Sequence, residues 1–270
     1  GEFVLKDLVK RGYDVTCFVR EASNLDTIKE MNVNYIYGEL DDFESICRAL
    51  LGKETLINIA SLGFGQTPNI VNACKKMNVK RAIFISTTGI FTKLNPDSKE
   101  VRLEAERIIR ESNLDYTIIR PTMIYGTPRD RNMWRLVKYL QKFCILPILG
   151  NGTYYVKDLA NVIVRAYEND VSIKKVYNIS GAKALTYNEI VDITADALGK
   201  KVVKLHIPMR ISYNLLKVYE KTSKKPRLKA EQVLRLNEDK DFSHKEAKID
   251  LGYDPVDFSE GIKLEINGVL

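Results

Sequence analysis

Three segments that could bind an anionic ligand each follow a short apolar run of the chain. Arg20 follows the run at 15–19, the segment 38–41 follows a second run, and the glycine-containing segment 60–65 follows a third. A guanidinium can pair with a phosphate, a carboxylate can meet an adenine edge, and glycines let the backbone approach a ligand closely. This recurrence indicates a dinucleotide. Arg20 favours the additional phosphate of NADP, and a surface arginine without a ligand is the alternative.

The elements that position these segments follow from the pattern of apolar residues. Short runs rich in β-branched and aromatic residues predict strands at 15–19, 34–37, 55–60, 82–85 and 116–119. Helical patterns alternate with them at 24–31, 43–51, 69–77 and 99–111. Such strands are typical of a parallel sheet covered on both faces, and the alternation predicts a doubly wound α/β fold. Ligands of these folds bind outside the carboxyl ends of the strands, where the three segments fall.

The first segment, residues 2–12, reads as an amphipathic helix with a glycine stop. In a doubly wound series a strand and a glycine-rich turn come before the first helix. We therefore expect both to precede Gly1 in the natural protein, and the alternative is a fold that begins with a helix. The connection at 150–158 is short, which leaves open whether residues are missing there too.

After Gly126 the pattern becomes less regular. Helices are predicted at 130–143, 157–169, 186–198, 208–222 and 228–237, strands at 176–179 and 202–205, and a turn at 250–255. A capping box at Thr186 and Glu189 marks the start of one of these helices. We expect a dinucleotide-binding domain over 1–126, to which a strand and helix at about 155–180 return. Most of 127–270 would form a smaller substrate-binding lobe.

Composition narrows the classes of function. Four cysteines without C-x-x-C spacing and two histidines predict no metal site and no disulfide framework, and hence a reducing, cytoplasmic setting. No apolar run approaches the roughly 20 residues that span a bilayer, so no membrane partner is expected. The net charge of +7 suits phosphate-bearing ligands, or reflects a solvated lysine-rich surface. The basic run at 221–229 could contact a diphosphate or RNA, or be a solvated linker. Because it lacks interleaved aromatic residues, no nucleic-acid partner is expected.

Five segments in order resemble a known family. They are Gly38-Glu-Leu-Asp-Asp, Val79-Lys-Arg-Ala-Ile-Phe-Ile-Ser-Thr-Thr, Leu114-Asp-Tyr-Thr-Ile-Ile-Arg-Pro-Thr-Met-Ile-Tyr-Gly, Tyr155-Val-Lys-Asp-Leu-Ala and Leu251-Gly-Tyr-Asp-Pro. Together they resemble extended or atypical short-chain dehydrogenases/reductases, in the group of NAD-dependent epimerase/dehydratase and NmrA-like NAD(P)-binding proteins. The resemblance spans nearly the whole chain. It implies a Rossmann-type doubly wound parallel sheet with a smaller C-terminal substrate lobe, and it does not specify the substrate.

The resemblance also implies a cofactor site. Gly1 would be the last glycine of a Gly-x-x-Gly-x-x-Gly turn. The other implied cofactor-side residues are Glu39 and Leu40 at the adenine, Ala60, Ser61 and Leu62 at the nicotinamide side, and Pro121, Thr122 and Ile124 against the nicotinamide. The expected cofactor is NADP, or else NAD.

The catalytic positions depart from the family pattern. Thr87 stands where the family has its catalytic Ser/Thr, or is a strand-end hydroxyl that bonds the backbone. Counted back from Glu106, Arg102 replaces the Lys that holds the nicotinamide ribose and lowers the Tyr pKa. Ser98 replaces the Tyr that transfers the proton, and an alcohol is too weak an acid for that role. Arg102 can still bond a ribose, with a different geometry.

Either another group supplies the proton or no Tyr-driven step occurs. The candidates on loops near the cleft are Tyr125, Tyr154 and Tyr155, each of which can also be structural. Trp134, with Met133 and Leu136, is expected in the core or at the lip of the lobe, and His206 is expected to be a packed or surface residue.

Two hypotheses from different classes follow. The first is an NAD(P)-dependent oxidoreductase or epimerase/dehydratase-like enzyme acting on a nucleotide-sugar or similar small molecule, because a lobe of this size can close over a substrate. The second is a catalytically silent NAD(P)-binding redox sensor or assembly factor, for which the missing Tyr and Lys argue. The resemblance also implies a homodimer through the helices at 69–77 and 99–111.

Overall fold

The computed structural model describes residues 1–94, 97–126, 130, 133–148, 153–154, 156–157, 159–223, 234, 238 and 242–268. Its helices are α1 Glu2–Lys10, α2 Asp26–Glu30, α3 Phe43–Leu50, α4 Thr67–Lys76, α5 Asp97–Glu111, α6 Met133–Lys142, α7 Ala160–Glu168, α8 Tyr187–Ala197, α9 Met209–Thr222, α10 Lys245–Leu251 and α11 Phe258–Ile266. Its longer strands are β1 Thr16–Val19, β2 Asn34–Tyr37, β3 Thr55–Asn58, β4 Arg81–Ile85, β5 Asp115–Pro121, β7 Ile145–Ile148, β10 Lys175–Ile179 and β12 Val203–His206. Two-residue strands are β6 Met123–Ile124, β8 Thr153–Tyr154, β9 Val156–Lys157 and β11 Leu185–Thr186.

A parallel sheet in the order β10-β5-β4-β3 forms the centre of the fold, and β1 and β2 form a separate parallel pair. Helices connect the successive parallel strands β1 to β5, as the alternating pattern predicts. The predicted doubly wound α/β fold is therefore confirmed. The described strands and helices end within a few residues of their predicted positions in this part of the chain.

Both faces of the central sheet are covered. Phe84 and Ile118 point to a core shared with helices α3, α4 and α5, whereas Ile83 and Ile119 point to a second core that includes α1 and α7. All four side chains are inaccessible to solvent. This two-sided burial explains why β4 and β5 read as continuous apolar runs. The expectation that the strands are covered on both faces is wrong for β2, because Tyr35 and Tyr37 are exposed.

A third core builds the C-terminal lobe. It joins α6, α8, α11 and β7 through side chains such as Leu140, Ile148, Ile190 and Ile262. The predicted capping box is present: Thr186 Oγ1 accepts from the backbone N–H of Glu189, and the Glu189 carboxylate accepts from the backbone N–H of Thr186. Met133 and Leu136 are buried in this core and Trp134 packs against it, in agreement with their predicted position.

The chain returns to the central sheet after the lobe. Asp250 Oδ2 accepts from Lys175 Nζ over 2.7 Å and from the Tyr177 hydroxyl over 2.8 Å, which fixes α10 against β10. The residues predicted as a turn at 250–255 therefore include the end of a helix, whose cap is Gly252 in the left-handed conformation (φ 59°). The sequence interpretation also missed α11 and β7.

One predicted helix boundary is wrong. The helix expected at 157–169 begins at Ala160, because Val156 and Lys157 pair as β9 with Met123 and Ile124 of β6. Asp158 and the connection at 149–152 lie outside the described residues. The same holds for nearly all of the helix predicted at 228–237, and for residues 224–229 of the basic run.

Candidate functional site

The predicted site residues follow successive parallel strands, so they line one edge of the sheets. Arg20 follows β1, Glu39 and Leu40 follow β2, Ala60, Ser61 and Leu62 follow β3, Thr87 follows β4, and Pro121 and Thr122 end or follow β5. Gly1 is the residue before α1. Ile124 lies in β6, beyond this edge, and is exposed. An edge made of parallel strand ends is where ligands of doubly wound folds bind.

Side-chain bonds join the loops after β2 and β3. Gln66 Nε2 donates to Asp41 Oδ2 over 2.8 Å, and Asn69 Nδ2 donates to the Leu40 carbonyl over 3.3 Å. These contacts bring the start of α4 against the segment 38–41. The loops after β2 and β3 therefore form one continuous surface, although β2 and β3 belong to different sheets.

Arg20 and Glu39 present charged groups on that surface. Both are exposed, and the backbone N–H of Arg20 donates to Ser23 Oγ over 3.1 Å, which closes a turn after β1. In the described part of the chain, no hydrogen bond or ion pair engages the Arg20 guanidinium. Since the Gly38 N–H donates to the Val19 carbonyl over 3.0 Å, the two strand exits lie next to each other. The two strand exits, with Arg20 on the first, can accept a ribose that carries a phosphate.

Arg102 reaches from α5 to the loop after β3. A Cβ added to Gly63 would lie 3.0 Å from Arg102 Nη2, so the guanidinium rests on the glycine backbone. Ser61 caps this 3₁₀ turn, Leu62–Phe64, by accepting from the Gly63 N–H over 3.2 Å. Arg102 Nη1 also donates to Ser98 Oγ over 2.8 Å. Ser98 and Arg102, at the positions where the resemblance implies Tyr and Lys, therefore bind each other, and Arg102 brings a cation to a strand-end loop.

Thr87 lies at the exit of β4 and is half-buried. Its Oγ1 accepts from the backbone N–H of Gly89 over 3.1 Å and caps the 3₁₀ turn Thr88–Phe91. No described group takes the hydroxyl hydrogen. Thr87 thus bonds the backbone, as in the structural alternative, and can still donate to an oxygen of a ligand.

A buried carboxylate stands behind this edge. Glu106 of α5 is 3% exposed, and it accepts from Ser86 Oγ over 2.7 Å and from Arg120 Nε over 2.9 Å, while Arg120 Nη2 donates to its other oxygen. Arg110 Nη2 lies 3.5 Å from the same carboxylate. The network links α5 to the ends of β4 and β5. Sequence reasoning used Glu106 only to locate neighbouring positions and missed this role, because the partners are brought together by the sheet.

A cavity of about 600 Å³ opens beside the Thr88–Phe91 turn, and its described lining is Phe91, Asn178, Phe242, Ser243, Lys245 and Glu246. The Phe91 and Phe242 rings are 5.3 Å apart, and the Arg120 guanidinium lies 5.1 Å above Phe91. The predicted cofactor-side residues do not line this cavity within the described part of the chain. It therefore lies next to the candidate cofactor edge and is separate from it.

One hydroxyl at the end of β5 has no hydrogen-bond partner among the described residues. Thr122 Oγ1 is inaccessible to solvent and bonds no described group, although the Thr122 backbone N–H donates to the Ile179 carbonyl over 3.0 Å. Burying a hydroxyl without a partner is costly. A polar ligand atom at the strand edge would satisfy it. Together with the close approach at Gly63, this hydroxyl fits a nucleotide cofactor bound at the edge.

The tyrosines considered as proton donors lie elsewhere or are not described. Tyr125 is buried in the lobe core, its ring is 5.5 Å from Phe258, and its hydroxyl occupies the space beside Gly261. Tyr154 belongs to β8, which pairs with β11, and Tyr155 lies outside the described residues. His206 Nε2 is 3.0 Å from Asn188 Oδ1 on an exposed surface, as expected for a surface residue. Tyr125 therefore has a packing role.

Sequence reasoning also missed Glu265 of α11. This side chain is 1% exposed, and among the described residues no side chain bonds its carboxyl oxygens, although the backbone of Gly126 lies close to them. Burial, with a smaller contribution from the nearby charge of Asp130, raises the pKa of Glu265 from 4.5 to about 7, and the Gly126 backbone opposes a part of this rise. The only available signal was an acidic residue among the apolar positions of an amphipathic helix. Within the described residues, no group of three or more His, Cys, Asp or Glu side chains is placed to hold a metal.

The parallel strand edge, the glycine loop under Arg102 and the orphan hydroxyl of Thr122 define a nucleotide-cofactor-binding protein of the Rossmann-like class. The sequence pattern of the NAD(P)H-binding family matches residues 1–170. The chain belongs to this family, and the resemblance to NAD-dependent epimerase/dehydratase and NmrA-like proteins is confirmed.

Three comparisons show the range of the relatives. An Escherichia coli O157:H7 N-acetyl-alpha-D-glucosaminyl-diphospho-ditrans,octacis-undecaprenol 4-epimerase is 26% identical over 63% of this chain and 62% of its own length. The photosystem II assembly factor Ycf39 of Trieres chinensis is 22% identical over 77% of this chain and 69% of its own. The Citrobacter triphenylmethane reductase complexed with NADP(H) shares the fold, with a TM-score of 0.78, 18% identity, and coverage of 97% of this chain and 95% of that one. The chain thus matches less than two thirds of the epimerase.

The buried ion pair gives a stability prediction. Glu106→Gln should lower the free energy of unfolding by about 3 kcal/mol, because the buried Arg120 guanidinium would lose its counter-charge. Chemical denaturation with a circular-dichroism readout measures this. Glu104→Gln on the same helix is the matched control, since its ion pair with Arg107 is exposed and should matter far less. Equal losses for the two variants would contradict the assigned role of Glu106.

Glu265 gives a pH prediction. Its raised pKa means that the folded state holds the proton more tightly than the unfolded state, so stability falls as pH rises from about 4.5 to 7. Glu265→Gln removes this loss. Its free energy of unfolding should exceed that of the wild type by up to about 3 kcal/mol at pH 8 and should equal it near pH 4.5. Thermal unfolding across this range measures the difference. Glu260→Gln, an exposed position on the same helix, should keep the wild-type profile, and a pH-independent gain for Glu265→Gln would refute the assignment.

Proposed function

We propose that this chain is an NAD(P)-dependent oxidoreductase or epimerase/dehydratase-like enzyme that prefers NADP(H) and acts on a nucleotide-sugar or similar small molecule. The observation that carries the proposal is the contact of Arg102 with the Gly63 loop at the edge of the parallel strands. A cation there can hold a cofactor ribose or phosphate, although the family's Lys is absent. Family membership supports NAD(P) as the cofactor class.

The preference for NADP rests on Arg20. Its guanidinium follows β1 and has no partner among the described residues, whereas a carboxylate at this place would select the free ribose hydroxyls of NAD. Glu39 stands after β2, at the adenine side. The Citrobacter reductase that shares the fold binds NADP(H).

The chain's own residues would divide the chemical work. The bound nicotinamide supplies the acceptor or donor of a hydride. Arg102 orients the ribose side, and the Thr87 hydroxyl donates a hydrogen bond to the reacting oxygen of the substrate. Thr122 offers its unpaired hydroxyl at the end of β5. Ser98 is bound to Arg102 and is a weak acid, so it positions the guanidinium and does not transfer the proton.

The substrate class is supported by the lobe and by one relative. The core of α6, α8, α11 and β7 includes Tyr125 and packs against Met123, both just after the end of β5, and we infer that this lobe covers a small molecule. The similar Escherichia coli epimerase is named for a sugar carried on a diphosphate. A sugar diphosphate also suits a chain with a net charge of +7.

A silent cofactor-binding protein is the second candidate. The Ser98–Arg102 bond occupies both altered catalytic positions and leaves no tyrosine on α5 to transfer a proton. The similarity to a photosystem II assembly factor supports a non-enzymatic role of this kind. The two candidates share the cofactor site and differ only in turnover.

The cofactor preference has a direct test. Arg20→Ala should weaken NADPH binding about tenfold or more and change NADH binding little, because it removes the partner of the additional phosphate. Isothermal titration with both cofactors measures the two dissociation constants. Arg135→Ala, an exposed position on α6, is the control and should leave both unchanged. An equal loss of NADPH and NADH affinity would exclude Arg20 as the phosphate ligand.

Turnover separates the two candidate functions. UDP- and TDP-sugars are screened for epimerisation and for hydride exchange with the bound nicotinamide. For an enzyme, Thr87→Ala should reduce kcat about a hundredfold while cofactor affinity holds, and Thr87→Ser should recover most of it. Tight NADPH binding without turnover on any of these sugars favours the silent protein. Binding of neither cofactor contradicts both candidates.

A further inference from the structure

Helix α9 turns an apolar stripe towards solvent. The stripe is formed by Ile211, Leu215 and Val218, whose spacing of four and three residues places them on one side of the helix. Their exposed fractions are 51%, 62% and 61%. The apolar stripe of a surface helix normally faces the core of the protein. In α9 this stripe is exposed instead.

The buried side of α9 differs from the side that carries the stripe. Ser212 is 3% exposed and donates through Oγ to the Pro208 carbonyl over 3.3 Å, whereas Ile211, one position earlier, is open. Because consecutive positions are about 100° apart on a helix, the buried side and the stripe point in different directions. The side of the described helix that is buried at Ser212 thus does not include the stripe.

A row of basic residues runs alongside the stripe. Arg210 precedes Ile211, Lys217 precedes Val218, and Lys221 lies one turn further, and all three basic side chains are exposed. The row therefore follows the stripe along the outer surface of α9, about 100° around the helix. Lys217 Nζ lies 4.8 Å above the Tyr213 ring, which holds that charge close to the helix surface.

The same lobe exposes further apolar side chains just before α9. In the parallel pair of β7 and β12, Val203 is opposite Ile145, and Leu205 follows on the same face of the pair. All three are more than half exposed. Since α9 begins three residues after β12 ends, the exposed apolar surface of the lobe extends beyond one helix. Surfaces of this kind mark interaction sites.

We propose that α9 docks this protein on an anionic lipid bilayer, with the stripe of Ile211, Leu215 and Val218 in the interface and the basic row on the lipid phosphates. An apolar stripe beside flexible cations matches the boundary between acyl chains and charged headgroups, and the net charge of +7 adds long-range attraction. A protein partner would have to supply an apolar groove for the stripe and a row of carboxylates for the basic row. An anionic bilayer offers an apolar layer and anionic phosphates at every point of its surface.

This surface does not conflict with the absence of a spanning segment. No described helix is long and apolar enough to cross a bilayer, and the expectation of no membrane partner rested on that absence. A helix that lies in the interface needs only a one-sided apolar stripe. The proposal goes beyond the proposed function and does not depend on it.

Vesicle co-sedimentation tests the docking. The purified chain should sediment with phosphatidylcholine vesicles that contain 30% phosphatidylglycerol, and much less with pure phosphatidylcholine. Leu215→Ser should lower the partition coefficient about tenfold, because it removes one leucine side chain that would be buried in the bilayer interface. Leu51→Ser is the matched control, since Leu51 is 70% exposed but lies at the end of α3, and it should bind as the wild type does.

The charge requirement is tested in the same assay. Lys217→Gln should lower partition about fivefold on the anionic vesicles, whereas Lys10→Gln on α1 should have little effect. Circular dichroism confirms that each variant is folded. No binding to anionic vesicles, or equal losses for Leu215→Ser and Leu51→Ser, overturns the proposal. If the chain instead dimerises in sedimentation velocity and Leu215→Ser dissociates the dimer without any vesicle binding, the stripe is an interface between copies and the lipid proposal is wrong.

Discussion

The buried carboxylate of Glu106 is the interaction on which the candidate site depends. It joins three elements that are far apart in sequence: Ser86 at the exit of β4, Arg120 near the end of β5, and α5 itself. Thr87 directly follows Ser86, and Arg102 lies one helical turn before Glu106. Because the ion pair is almost completely buried, a shift of α5 relative to the sheet would leave a charge uncompensated. The Glu106 ion pair, on the protein side of the site, therefore fixes the positions of the Thr87 hydroxyl and the Arg102 guanidinium.

The front of the candidate site combines the proposed cofactor contacts with two positions that depart from the family pattern. Strand ends, the glycine turn and the unpaired Thr122 hydroxyl are determined mainly by the backbone, and they are independent of the side chains at positions 98 and 102. At the two positions where the resemblance implies a Tyr and a Lys, Ser98 accepts a hydrogen bond from Arg102, whose guanidinium also lies against the Gly63 loop. The proposed cofactor contacts of the strand ends therefore do not require a phenol on α5.

The sequence predicts the sheet well because β4 and β5 are buried on both faces, and a short continuous apolar run such as 82–85 is typical of a strand in that environment. It predicts the strand β2 correctly but not its exposure, since β-branched and aromatic content alone does not report burial. The lobe is harder because β6 to β9 are short and pair across long sequence distances. The order of the site residues along the strand edge follows from topology. The Arg102 contact with Gly63, the burial of Glu265 and the packing role of Tyr125 do not, because each depends on which side chains the fold brings together.

The central claim is that a nicotinamide dinucleotide lies along the carboxyl ends of β1 to β5. Hydrogen exchange of the backbone amides, measured with and without saturating NADPH, tests it most directly. The account predicts added protection in the loops at 20–23, 38–41, 60–65 and 87–89, with little change in α9. Protection confined to the C-terminal lobe, or NADPH binding without protection of the strand-end loops, would contradict it.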